Sequence, residues 1–225
     1  MKDSRVRVLA LDISTNAGWA LLEGARPFCD SNDIRVLDYG NIVEPKSIHE
    51  HGRYPYNYHK VSDLMAERFY DKWVKLGRPE VIVIEEINLG KNRLSQRALD
   101  WIHKATVTKF ADEPVQIYYI NSSEWRKTLG VRLSKEQKKS NAKLSKAKRL
   151  AAERGERLDK KALGISGKFT IKHASVQWVA ENLGLNFKLK DNDICDAICV
   201  AAAYLRGAKV CDGLDGLKRR KNEDR

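Results

Sequence analysis

The sequence predicts an α/β fold in which a mixed five-stranded sheet is flanked by helices and carries a basic helical insertion. Three observations predict it. Short apolar runs rich in aliphatic and β-branched residues recur at 6–12, 35–43, 81–84 and 114–120, which is strand length. Segments with apolar residues at helical spacing lie between and after them. Between Arg132 and Lys172 the composition then turns abruptly lysine-rich.

The first run, VRVLALD at 6–12, is followed by the polar turn STNAG and by WALLE, and this pair reads as a hairpin. RVLDYGNIV at 35–43 supplies a third strand. Over 57–76, Val61, Leu64, Met65, Phe69, Trp73 and Leu76 recur at helical spacing, and Gly77 and Pro79 end that helix. PEVIVIEE is a continuous apolar run opened by a proline and closed by two carboxylates, the pattern of a central strand buried on both faces. A helix follows over about 94–111, then the strand PVQIYYI at 114–120. Asn-Ser-Ser caps the short helix EWRKTL. An antiparallel meander followed by βα units makes the sheet mixed.

Residues 132–171 read as one or two exposed helices ending in a glycine-containing loop. Helices return over 172–183 and 191–206, the second almost wholly apolar beyond its first turn and therefore buried. The expected organisation is a core of 1–131 and 172–210, a basic insertion of 132–171, and a charged tail of 211–225. Trp73 and Trp178 sit among aliphatics at helical spacing and are assigned to the core, and Trp125 to packing.

At 225 residues with 42% hydrophobic content, the chain can bury a substantial core. Its formal charge of +12 and pI near 9.5 point to a polyanionic partner, nucleic acid or an acidic membrane surface. Residues 132–172 hold 14 Lys/Arg against 4 Asp/Glu, a net +10, so the remaining chain carries only +2. This bias exceeds that of an ordinary solvated helix face, and phosphate contact is the reading taken for it, with Lys138, Lys139, Lys143, Lys146 and Lys172 as candidates. No apolar run reaches the roughly 20 residues of a membrane span, and the N-terminus lacks signal-peptide order, so a cytoplasmic protein is expected. Cys29, Cys195, Cys199 and Cys211 form no pair of Cys-x-x-Cys motifs, which makes them reduced thiols. Among the histidines, only His173, beside Lys172, is placed near a candidate site.

Four carboxylates occupy costly positions: Asp12 and Glu85 at the ends of apolar strands, Asp193 and Asp196 at the start of a buried helix. Singly each has a plain explanation. Asp12 fits a cap of the hairpin turn, Glu85 a partner of Lys91, and Asp193 an N-cap with Asp196 near the positive helix end. Jointly they say more. Asp193 and Asp196 lie one turn apart on one face, with Cβ atoms about 5–6 Å apart. Anions so close to two further acids repel unless a cation sits among them, and an oxygen-only set suits Mg²⁺, with Mn²⁺ able to substitute.

LALDIST at 9–15, VIVIEEINLGKN at 81–92 and DNDICDAICVA at 191–201, in this order and spacing, resemble the RuvC-like Holliday junction resolvases of the RNase H-like superfamily, a phage-type or viral-type member among them. The resemblance spans nearly the whole chain. It implies an RNase H-like fold, with Asp12, Glu85, Asp193 and Asp196 as catalytic acids binding two metal ions, and Glu86 as the fallback for Glu85. It further implies that Lys91, Asn92 and Lys172 contact DNA near the scissile phosphate, that the substrate is a four-way or other branched DNA, and that a homodimer supplies two active sites. In place of the aromatic that many members carry after the second motif, this chain has Asn88-Leu89. Other readings are a related nuclease cutting flaps, forks or RNA–DNA hybrids, an actin-like kinase or ATPase, and a non-catalytic DNA binder. The second lacks a second phosphate loop here, and the third does not explain four retained acids.

Overall fold

The structure, a computed structural model, describes residues 5–25, 33–44, 46–87, 93–155, 157 and 167–213. Lys91 and Asn92 lie outside the described residues. Strands β1 (Arg5–Asp12), β2 (Asn16–Ala25), β3 (Arg35–Val43), β4 (Val81–Glu85), β5 (Gln116–Ile120) and β6 (Cys211–Asp212) form one sheet in the order β3-β2-β1-β4-β5-β6. The meander β1-β2-β3 is antiparallel, whereas β4 runs parallel to both β1 and β5. The sheet is therefore mixed, as the order of elements predicts. It has six strands where the sequence predicts five. The additional one is a two-residue exposed strand antiparallel to β5, and it falls within the stretch read as a charged tail. A pair as short as Cys211-Asp212 carries no apolar alternation by which to recognise it.

Helices α1 (Tyr56–Lys75) and α2 (Arg93–Lys109) cover one face of the sheet. The other face is covered by α3 (Ser122–Leu129), α5 (Ile171–Leu183) and α6 (Asn192–Leu205). The period of two along each strand sorts side chains between these layers. Leu9, Leu11, Ile82 and Ile84 enter the layer of Val61, Met65, Phe69, Trp73 and Phe110. Val8, Ala10, Val81 and Val83 enter the layer of Trp125, Trp178 and α6. Both faces of β4 are buried, which explains its unbroken apolar run. Two of the core tryptophans also satisfy their N–H groups: Trp73 donates to the Pro79 carbonyl at 2.9 Å and Trp178 to that of Leu129 at 3.0 Å. Gly77, at φ +75°, ends α1 in the left-handed region, which costs glycine least. Asn121 caps α3 by accepting from the Ser123 N–H at 2.9 Å.

Helix α4 (Lys135–Glu153) is a different kind of element. Leu144 is its one buried residue, and Ser134 caps it by accepting from the Gln137 N–H at 3.2 Å. No helix among the described residues is long and apolar enough to cross a membrane.

Where α6 meets the hairpin, the contact is between backbones. Gly18 pairs with Asp12 across β1 and β2, and a Cβ added at Gly18 would stand 2.0 Å from the Asp193 carbonyl oxygen. Ala10 and Ala20 on the strands and Ala197 and Ala201 on the helix continue this close approach. A methyl group at Gly18 has no flexible side chain to push aside. Gly18→Ala is therefore expected to destabilise the fold by about 3 kcal/mol, the upper range of overpacking. The measurement is urea denaturation, and a midpoint equal to wild type would show that the helix sits elsewhere.

Candidate active site

Because β1 and β4 are parallel neighbours with Leu11 opposite Ile84, Asp12 and Glu85 leave the sheet side by side at its C-terminal edge. Alternation sends both toward the α6 face, since Asp12 shares the parity of Val8 and Ala10, and Glu85 that of Val81 and Val83. The carboxyl ends of parallel strands are the usual location of ligand sites in open α/β sheets. Helix α6 begins at the same edge, where Gly18 admits its first turn. Asp193 and Asp196 thereby face the two strand acids. Asp193 lies inside the first turn, and the N-cap position belongs to Asp191. The four acids named from the sequence are brought together.

Their electrostatics show the cost of this gathering. Burial, then the charges of Glu85, Asp196 and Asp193, hold the Asp12 carboxyl well above the ordinary carboxylate range, and Lys172 opposes the shift. Glu85 is pushed up to about 7, first by burial and then by Asp196, against the pull of Arg126 and the Trp125 side chain. Asp196 is raised by burial, with Ser175, Arg126 and Lys172 acting the other way. Desolvation and like charge thus act together, the combination that perturbs carboxyls at functional sites.

Two cations and an amide offset part of this. Lys172 Nζ lies 3.8 Å from Asp193 Oδ1 and Arg126 Nη2 lies 3.9 Å from Glu85 Oε1. Asn16 donates to Asp193 Oδ2 at 3.3 Å, and Asn192 donates to its other oxygen. With Asp193 turned to these partners, no three His, Cys, Asp or Glu side chains among the described residues stand close enough to hold one ion. The donor set is nonetheless all carboxylate oxygen, crowded and short of positive charge, which is the chemistry of a hard divalent cation site. A cleft of about 290 Å³ opens over it, lined by Asp12, Ser14, Glu85, Glu86, His103 and Asp193 among others. A larger cleft of about 670 Å³ between α1 and α2 contains none of the four acids, so size does not mark the site.

Several residues at the site escape sequence reasoning. Arg126, stacked on the fully buried Trp125 at 4.7 Å, counters the charge of both Glu85 and Asp196. Ser175, buried on α5 with its hydroxyl donating to the Lys172 carbonyl at 3.2 Å, draws the Asp196 carboxyl down against its burial. His103 corrects the expectation that only His173 lies near the acids: it lines the cleft, and burial lowers it to about 4, so it is neutral. The Tyr119 hydroxyl lies 3.3 Å from its Nδ1. His173 instead caps α5, its Nδ1 accepting from the Thr170 N–H at 3.1 Å. Glu86, the fallback for Glu85, is turned to Asn121, which donates to it at 2.8 Å. Cys195 and Cys199 are buried free thiols, both pushed up chiefly by burial.

No protein-family model and no curated protein matches the chain. Solved structures do. Thermus thermophilus RuvC in complex with Holliday junction substrate superposes with a TM-score of 0.56 at 14% identity, over 91% of this chain and 99% of that one. A second structure of Thermus thermophilus RuvC gives 0.56 at 15% identity with the same coverage. The fold is that of RuvC. A weaker likeness, TM-score 0.47 at 13% identity over 89% of this chain and 78% of the other, is to the yeast mitochondrial Holliday junction resolvase Ydc2. The mixed sheet flanked by helices that the sequence predicts is thus shared with the RuvC fold, and in this chain it has six strands where five are expected.

Carboxyls raised above their unfolded values bind protons more tightly in the native state. Their stabilisation is fully present below the unfolded value of about 4.3 and is lost as pH rises through the folded one. For Glu85 the window runs from about 4.3 to about 7. Without divalent cation, Glu85→Gln is therefore expected to be about 1–3 kcal/mol more stable than wild type at pH 8, with the gap closing at pH 4. Thermal melts with a chelator across this range check it, and a gap independent of pH would refute the assignment.

Proposed function

We propose that the chain is a structure-selective endonuclease that resolves four-way DNA junctions by hydrolysing phosphodiesters at the site of Asp12, Glu85, Asp193 and Asp196. The observation that carries this reading is the convergence of those four acids, three with raised affinity for protons, at the strand edge of a RuvC fold. The net +10 of residues 132–172 supports a nucleic-acid substrate. The likeness to Thermus thermophilus RuvC in complex with Holliday junction substrate supports a branched one.

Asp12, Glu85, Asp193 and Asp196 would hold Mg²⁺ or Mn²⁺, with two ions as the proposed number. When bound, such ions neutralise the phosphate and lower the pKa of water at neutral pH. The chain's own groups do the rest. Lys172, whose side chain is 53% exposed, stands at the rim of the acids, where its ammonium can meet a phosphate oxygen. Arg126 holds Glu85 from the protein side and, being stacked on Trp125, stays there. Neutral His103 with Tyr119 closes the cleft wall without adding charge. Asn16 and Asn192 fix the Asp193 carboxylate. Lys91 and Asn92 remain candidates for DNA contact. Two strands must be cut symmetrically to resolve a junction, so the working form is proposed to be a two-fold homodimer.

Asp12→Asn keeps shape and removes one charge from the site. It is expected to lower single-turnover cleavage of a synthetic four-way junction in Mg²⁺ at least about a thousandfold, or about 4 kcal/mol of barrier. The comparison includes flap, duplex and RNA–DNA hybrid substrates of equal length. Undiminished cleavage by the variant would remove the acids from the mechanism, and equal cleavage of all four substrates would remove the junction.

A further inference from the structure

The most unusual surface of the molecule is α4. Seven of its residues are Lys or Arg and two are Glu, and its burial is limited to Leu144. At about 1.5 Å per residue the helix is roughly 28 Å long, close to one turn of duplex DNA at about 34 Å. Its two acids are exposed but paired locally: Ser134 Oγ donates to Glu136 at 2.7 Å, and Arg149 pairs with Glu153 at 3.6 Å. Lys138, Lys139, Lys143 and Lys146 are all exposed. Leu150, at 37% exposure, is the only large hydrophobic exposed on the helix. Such a surface lacks the apolar anchors by which helices enter membranes or protein partners.

The opposite side holds the helix in place. Asn141 donates to the Phe169 carbonyl and accepts from the Phe169 N–H, both at 2.8 Å, and Gln137 donates to Gln177 at 3.3 Å. These groups and Leu144 follow at i, i+4 and i+7, one stripe of the helix. Phe169 stands three residues before Lys172, which reaches Asp193, and its ring meets that of His173 at 5.2 Å. The arm is thus hitched to the segment that sets a lysine at the acid cleft.

We infer that α4 is a docking arm for the phosphate backbone of double-stranded DNA, latched by Asn141 so that it grips a duplex at a fixed distance from the cleft. The inference rests on the nuclease reading for its biological substrate and not for its test. The full chain and K138Q/K139Q/K143Q/K146Q are titrated with a four-way junction and with plain duplex in the presence of chelator, from 50 to 200 mM salt. At about 0.9 per neutralised phosphate, the variant should lose a salt slope of about 3 to 4. Wild type then weakens on the order of a hundredfold more than the variant across that range. Hydroxyl-radical footprinting should show one protected backbone stretch in wild type that the variant lacks. Asn141→Ala, with every lysine kept, should lose the same stretch.

An unchanged slope would overturn the arm, as would a uniform weakening of protection in the lysine variant. Wild type that binds no DNA would overturn it too, as would DNA binding by the variant equal to wild type alongside lost binding to anionic vesicles. Undiminished protection with Asn141→Ala would refute the latch. Chelator prevents cleavage throughout, so failure of the nuclease reading would appear only in the Mg²⁺ assays with Asp12→Asn, and failure of the arm only here.

Discussion

With no side chain at Gly18, the carbonyl of Asp193 rests on the hairpin backbone, and from this contact most of the site follows. It brings the first turn of α6 to the strand edge where Asp12 and Glu85 emerge. The helix is held there by apolar burial along nearly its whole remaining length, from Ile194 to Leu205. Packing thus forces acids together that electrostatics would separate. The raised carboxyls of Asp12, Glu85 and Asp196 express that conflict.

The parts of the fold legible in the sequence are those where one residue's neighbours decide its state. VIVIE is apolar on both faces and had to be central, and it lies between β1 and β5. The spacing of Val61, Met65, Phe69 and Trp73 announces α1, and Asn121 announces α3. The strand β6 was illegible because its two exposed residues pair only through what β5 offers them. The same distinction runs through the site. Asp12, Glu85, Asp193 and Asp196 are visible because carboxylates at the ends of apolar runs are out of place. Arg126, Ser175 and His103 are ordinary residues in ordinary helices, and only the tertiary packing of α2, α3 and α5 carries them to the acids. Gly18 sits in a turn-like STNAG stretch, where a glycine reads as turn chemistry and not as room for a helix.

The distribution of positive charge also has a physical logic. Arg126 and Lys172 approach the acids from opposite settings, one with its guanidinium stacked on a buried tryptophan and the other half in solvent. A guanidinium held by stacking stays charged and stationary, whereas a lysine on a flexible stem keeps its freedom to turn. Six further lysines lie on α4, away from the core that their desolvation would destabilise.

When all four are ionised, a cluster of four acids with two cations nearby is short of positive charge by about two. Pairing it fully with arginine and lysine would relieve the conflict and leave a silent, stable protein, since buried charges compensated in place have no remaining affinity to offer. Leaving it under-compensated has two effects. The metal-free chain loses stability as pH rises past the range in which these carboxyls hold their protons. If the site holds a divalent cation as proposed, the same deficit would make that cation a stabiliser of the native state, by an amount set by its concentration relative to its dissociation constant. Strain of this kind persists only where surrounding structure over-determines it, and here that structure is the apolar length of α6 lying against the strands at Gly18.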